Sequence, residues 1–161
     1  EFRDIEELSL NASRSIQSYH FKEIAKNLTS LQALDIRNCI HLKSADFNLI
    51  LKHLNKLESL KFSSITEPYE CIAQLPKLKS LEILDIDRYQ PIRHQLFEAL
   101  AKHQSEQLEE LVISSQNSLN FGKASLIGDL KKLKILGCAS NEMLDDQCSN
   151  IDLMQQAYQQ S

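Results

Sequence analysis

The sequence predicts an α/β solenoid: a short right-handed horseshoe arc with a parallel sheet on its concave face and helices on its convex face. Three observations predict it. An apolar pattern, clearest in Leu31-Gln-Ala-Leu34-Asp-Ile36-Arg-Asn-Cys39-Ile-His-Leu42, occurs six times. Its copies are almost evenly spaced. Between them the apolar residues recur at helical rather than strand spacing.

Each copy asks for a short strand. Leu34 and Ile36 alternate with period two, so both point to one side, and a single strand cannot bury that side without copies stacked beside it. The copies are Ile5/Leu8/Leu10, Leu31/Leu34/Ile36, Leu57/Leu60/Phe62, Leu81/Leu84/Ile86, Leu108/Leu111/Ile113 and Leu133/Leu136/Cys138. Their first positions lie 26, 26, 24, 27 and 25 residues apart. The fourth copy has a second register, because Leu75, Leu78, Leu81 and Leu84 are all three apart. Reading Leu78/Leu81/Ile83 gives intervals of 21 and 30, and puts Tyr89 where other repeats carry an apolar residue such as Ile16 or Leu42. The more even register is adopted. The choice matters, since a slip of one residue exchanges the buried and solvent faces.

Helices are expected between the strands, from Phe21, Ile24 and Leu28, from Phe47, Ile50, Leu51 and Leu54, from Leu96, Phe97 and Leu100, and from Leu126, Ile127 and Leu130. These one-sided stripes would cover the back of the sheet. Ser18 and Ser44 are the expected N-caps. The third connection runs from Thr66-Glu-Pro68 to Pro76, which leaves at most two helical turns, with Cys71 and Ile72 on their apolar side. Residues 1–144 are thus an array of about six repeats, and residues 145–161 a polar C-terminal cap or tail. The chain opens at Glu1-Phe2 with a repeat almost at once, as expected of a piece of a longer protein.

Repeats of about 26 residues, with a helix in each and a cysteine or asparagine after the strand (Cys39, Asn141), make this a leucine-rich-repeat sequence. It resembles the cysteine-containing repeats of F-box proteins. That resemblance implies the substrate-recognition end of an F-box-type ubiquitin ligase, meeting a Skp1-like adaptor only through sequence outside these residues.

Enzyme chemistry is not expected. The chain of 161 residues has only three glycines, no glycine-rich phosphate loop, no H-E-x-x-H and no G-x-S-x-G. His20, His41, His53, His94 and His103 fall on predicted helices or turns. Cys39 and His41 are two ligands where a zinc site needs four, so no metal and no cofactor are expected. Cys39, Cys71, Cys138 and Cys148 form no C-x-x-C pair, so they read as reduced thiols in a cytoplasmic or nuclear protein. No apolar run approaches the roughly 20 residues of a membrane-spanning helix.

Function then falls to the side chains between the leucines, which alternation turns toward the concave face. In the adopted register these positions carry nine acidic and four basic residues, against a whole-chain net charge of −4. Glu6, Gln32, Glu58, Glu82, Glu109 and Lys134 form a column of mostly like charge across neighbouring strands. The expected partner-binding residues are Gln32, Asp35, Arg37, Glu58, Lys61, Glu82, Ile83, Asp85, Arg88, Glu109 and Val112. Ile83, Val112 and Ile135 serve as apolar anchors among the acids. The matching partner is another protein offering a basic or amide-rich segment, and a phosphate backbone would be repelled. A second reading is an adaptor contacting RNA or an RNA–protein complex through basic residues of the outer side, such as Lys52, Lys56, Lys79, Lys102 and Lys131.

Overall fold

Six parallel strands in sequential order form one sheet, with helical connections behind it. The computed structural model describes residues 4–63, 78–84, 90–115 and 125–140. The strands are β1 (Glu7–Ser9), β2 (Ala33–Ile36), β3 (Ser59–Ser63), β4 (Ser80–Leu84), β5 (Glu110–Ser115) and β6 (Ile135–Ser140). The described helices are α1 (Ser18–Asn27), α2 (Ser44–His53), α3 (Gln90–His103) and the single turn α4 (Ser125–Gly128). The expected third helix and the segment 145–161 lie outside the described residues.

Three apolar columns run across the strands and make the core. The first is Leu31, Leu57, Leu78, Leu108 and Leu133, all buried. The second is Leu34, Leu60, Leu81 and Leu111, in register with Leu8 at one end and Leu136 at the other. The third is Ile36, Phe62, Ile83 and Ile113. Helix residues close the same core: Phe21 and Ala25 from α1, Phe47, Ile50 and Leu51 from α2, Leu96 and Leu100 from α3, and Ile127 from α4. The rings of Phe47 and Phe62 meet at 4.9 Å between centroids, joining α2 to the sheet.

β4 takes the less even register. Leu81 and Ile83 are buried while Leu84 is part-exposed, and Leu60 pairs with Leu81. Core positions therefore advance by 26, 26, 21, 30 and 25 residues. Ile83, expected as an exposed anchor, is only 2% exposed and belongs to the core. The reason is a third apolar contact: Leu78 is fully buried beside Leu57 and Leu108, a place that the 81/84/86 register denies it.

Local geometry repeats with the same period. Ala12 and Asn38, one repeat apart, both turn through the left-handed region, with φ of 58° and 57°. Each redirects the chain out of its strand, at a steric cost for any residue with a Cβ. The Sγ–H of Cys39 donates to the Leu10 carbonyl at 3.2 Å, tying this turn to the preceding repeat. Ser18 and Ser44 open their helices as first helical residues, not as N-caps, which are Gln17 and Lys43. The capping acceptor comes from inside the helix. Nδ1 of His20 accepts from the Gln17 amide, and Oδ2 of Asp46 accepts from the Lys43 amide. Asp46 also accepts from the Ser18 hydroxyl, so a buried carboxylate links α1 to α2.

The register of β4 sets a direct test. Ile83→Asp places an unpaired charge in the core and should cost about 3–5 kcal/mol. Leu84→Asp should stay within about 1 kcal/mol, because that side chain stands on the open face. Urea unfolding midpoints for the two variants decide it, and the reverse ranking would restore the evenly spaced register.

Candidate functional site

The face of the sheet turned away from the helices carries the predicted site, and its geometry is set column by column. An unbroken series of backbone hydrogen bonds runs Gln32 to Glu6, Glu58 to Gln32, Lys79 to Glu58, Glu109 to Lys79 and Lys134 to Glu109, all at 2.7–2.8 Å. Lys79 therefore stands where the even register puts Glu82. The column of like charge becomes an alternating one. Lys79 Nζ meets Glu58 Oε2 at 2.8 Å, and Lys134 Nζ meets Glu109 Oε2 at 2.7 Å. The hydrogen bond from Lys134, helped by its charge, holds the Glu109 carboxyl below its ordinary range.

The strand-centre column reads Ser9, Asp35, Lys61, Glu82, Val112 and Gly137. It alternates in sign through its charged half. Arg37 organises that half. Its guanidinium forks onto Asp35, with Nε to Oδ1 at 2.9 Å and Nη2 to Oδ2 at 2.5 Å. Nη1 reaches past β3 to Glu82 Oε1 at 2.7 Å, and Lys61 Nζ lies 3.2 Å from Glu82 Oε2. Arg37 thus spans two strand spacings, roughly 9–10 Å, and ties β2 to β4. Burial works to raise the Asp35 pKa, but the hydrogen bonds and charge of Arg37, with Lys61 behind them, outweigh it and hold it below 3.8.

Beside this network the face changes character. Glu7, Ala33, Ser59, Ser80, Glu110 and Ile135 form the next column. Glu110 accepts a hydrogen bond from the Ser80 hydroxyl at 2.7 Å and has no cationic partner among the described residues. Ile135 is 54% exposed. Val112 and Leu84 are part-exposed on the same face. Of the predicted residues, the fold brings together Asp35, Arg37, Lys61 and Glu82, with Gln32, Glu58, Glu109 and Val112 on the same face. Ile83 points into the core, and Asp85 and Arg88 lie outside the described residues. Sequence reasoning missed Lys79, Ser80 and Leu84 through the β4 register, and placed Lys79 on the outer side. On that outer side Lys131 pairs with Glu106 at 2.6 Å, so the helix face is a mixed one.

No group of three or more His, Cys, Asp or Glu side chains able to hold a metal occurs among the described residues. Nor is any described helix long and apolar enough to cross a membrane. Cys39 is buried, which pushes its thiol up, out of the range of a reactive thiolate.

Asp35 yields a pH prediction with a definite sign. Its folded pKa lies below its ordinary value, so its ionised pairing stabilises the fold above about pH 4 and is lost as pH falls through the folded value. Asp35→Asn should lower the unfolding free energy by about 1–2 kcal/mol near neutral pH. The gap from the wild type should close on acidification below about pH 4, measured by urea denaturation over a pH series. A gap that stays constant with pH would show that Asp35 acts through packing alone.

No family model matches the chain, and no curated protein does. Solved structures do. The tropomodulin C-terminal domain from Caenorhabditis elegans is 12% identical with a TM-score of 0.55, over 81% of this chain and 85% of that one. A leiomodin-1 segment described as actin-binding site 2 is 16% identical with a TM-score of 0.48, over 98% of this chain and 81% of that one. At these identities the likeness to tropomodulin is one of fold. It corrects the expected kinship with F-box repeat proteins, because the leucines carrying that resemblance are all core residues. They specify stacked strands and helices, which proteins of other kinds share. The chain has a mixed α/β fold on a six-stranded parallel sheet, similar to the tropomodulin C-terminal domain.

Proposed function

We propose that this chain is a non-enzymatic protein-interaction module, a solenoid of stacked strand–helix repeats that uses the concave, open face of its sheet. The observation that carries the reading is the construction of that face. Arg37, Asp35, Lys61 and Glu82 lock side chains of three strands together, so the surface is formed before any partner arrives. A pre-formed surface spares the ordering cost that weakens association. The open face carries seven acidic and four basic side chains among the described residues, and most of these pair with one another. A partner must therefore bring shape and apolar contact as well as positive charge.

The likeness to tropomodulin is one of fold and names no partner. Actin is named in the description of the leiomodin-1 segment; that partner belongs to leiomodin-1, and purified actin is one probe among several for this chain.

Paired variants test which face binds. Glu58→Lys with Lys79→Glu reverses the exposed pair of the open face, and Lys52→Glu with Lys102→Glu rearranges the helix side. Crosslinking and mass spectrometry in a cell extract should show partners lost from the first pair and kept by the second. Melting temperatures should differ little, since exposed ion pairs contribute only about 0.2–1 kcal/mol each. Glu82 is left intact because its carboxylate, only 16% exposed, holds both Arg37 and Lys61. Partners kept by the first pair and lost from the second would overturn the reading.

A further inference from the structure

The open face divides into two parts that differ in what they can offer a partner. Across β2–β4 the charged groups satisfy one another, and a partner would have to break or bury those pairs. Burying paired charge returns little net affinity. On β5 and β6 an apolar spot, Val112 with Ile135, stands beside Glu110 and the Glu109–Lys134 pair. Gly137 makes room for Val112: a Cβ there would stand 3.1 and 3.2 Å from the two Val112 methyls. With only hydrogen at that position, Val112 settles onto the β6 backbone beside Ile135, its diagonal neighbour across the two strands. Ile135 remains 54% exposed, one of three large hydrophobic side chains more than half exposed among the described residues, with Tyr19 and Ile40. The carboxylate in register with Ile135, Glu110, is bound to a neutral hydroxyl and has no cation beside it among the described residues.

From this juxtaposition we infer that the Val112–Ile135 corner is the docking point for a polypeptide segment carrying a bulky aliphatic or aromatic residue beside a lysine or arginine. The inference rests on the concave-face reading and narrows it to one corner and one partner chemistry. The apolar residue covers Ile135 and Val112, and the cation reaches Glu110. Charge complementarity selects the occupant: an acidic segment meets Glu110 and the Glu109 carboxylate, and a purely apolar one leaves Glu110 buried without a counter-charge. The column hydrogen-bonded through Glu58, Lys79 and Glu109 then frames the segment without supplying its main contact.

A random peptide library displayed on phage, panned against the immobilised chain, tests this with a defined probe. Enriched peptides should share a lysine or arginine within two positions of a bulky apolar residue. A synthetic peptide of that consensus should bind about tenfold more weakly to Ile135→Asp, and likewise to Glu110→Lys. Glu110→Gln, which keeps shape and removes charge, should weaken it by less and flatten its salt dependence. Both sites are at the surface, so all three variants should melt near the wild type. No enrichment over the bare support, or a consensus indifferent to both positions, would overturn the inference. Peptides lost instead from Glu58→Lys or Lys61→Glu would overturn it while keeping the concave face. Peptides insensitive to every open-face variant would overturn both.

Discussion

One requirement governs the molecule: each strand must bury its apolar side chains directly beside those of its neighbours. Leu34, Leu60, Leu81 and Leu111 stand in one column, and Ile36, Phe62, Ile83 and Ile113 in the next. Each core residue is held by the one before and the one after in its column. A buried aliphatic or aromatic side chain in such a column contributes about 1.5–3 kcal/mol. Exposed ion pairs contribute a fraction of that. The apolar columns therefore decide the register, and the charges on the far face follow.

β4 shows the ranking at work. Even spacing favours Leu81/Leu84/Ile86, which keeps the connections similar in length. The fold instead shortens one strand-to-strand interval to 21 residues and lengthens the next to 30, so that Leu78, Leu81 and Ile83 fill three buried places. Connection length is inexpensive to vary, since closing a loop grows costlier only with the logarithm of its length. A buried leucine is not. The shorter connection also holds Pro68 and Pro76.

Most of the architecture was legible in the leucine pattern, because six copies of a period-two motif constrain sheet order, face and spacing together. The β4 register was not, because four leucines at intervals of three satisfy the motif twice over. Electrostatics carried the missing signal. The even register stacks Glu58, Glu82 and Glu109 as neighbours, a column of like charge that costs stability at each step. The observed one seats Lys79 between Glu58 and Glu109, and its ammonium meets Glu58 at 2.8 Å. The caps were hidden for a different reason. Ser18 and Ser44 are good capping residues by type, yet His20 and Asp46, three residues after each N-cap, supply the acceptors. A serine one position inside the helix is free to bond elsewhere, as Ser18 does with Asp46.

The same slip changes what the face is chemically. Read in the even register it is an acidic groove waiting for a basic ligand, with its charges unpaired. In the observed register Arg37 and three lysines neutralise Asp35, Glu58, Glu82 and Glu109 within the surface itself. The paired part of that surface is stiff and weakly attractive to ions, because each of those charges already has a near neighbour of opposite sign. Affinity for a partner of the proposed kind would then come from places where the pairing stops. On the described face these are the acidic start of the sheet, at Glu6 and Glu7, and the apolar corner at Val112 and Ile135. Only the second combines exposed apolar area with an uncompensated carboxylate. There, removal of water from a hydrocarbon surface and pairing of a charge can act on one incoming segment.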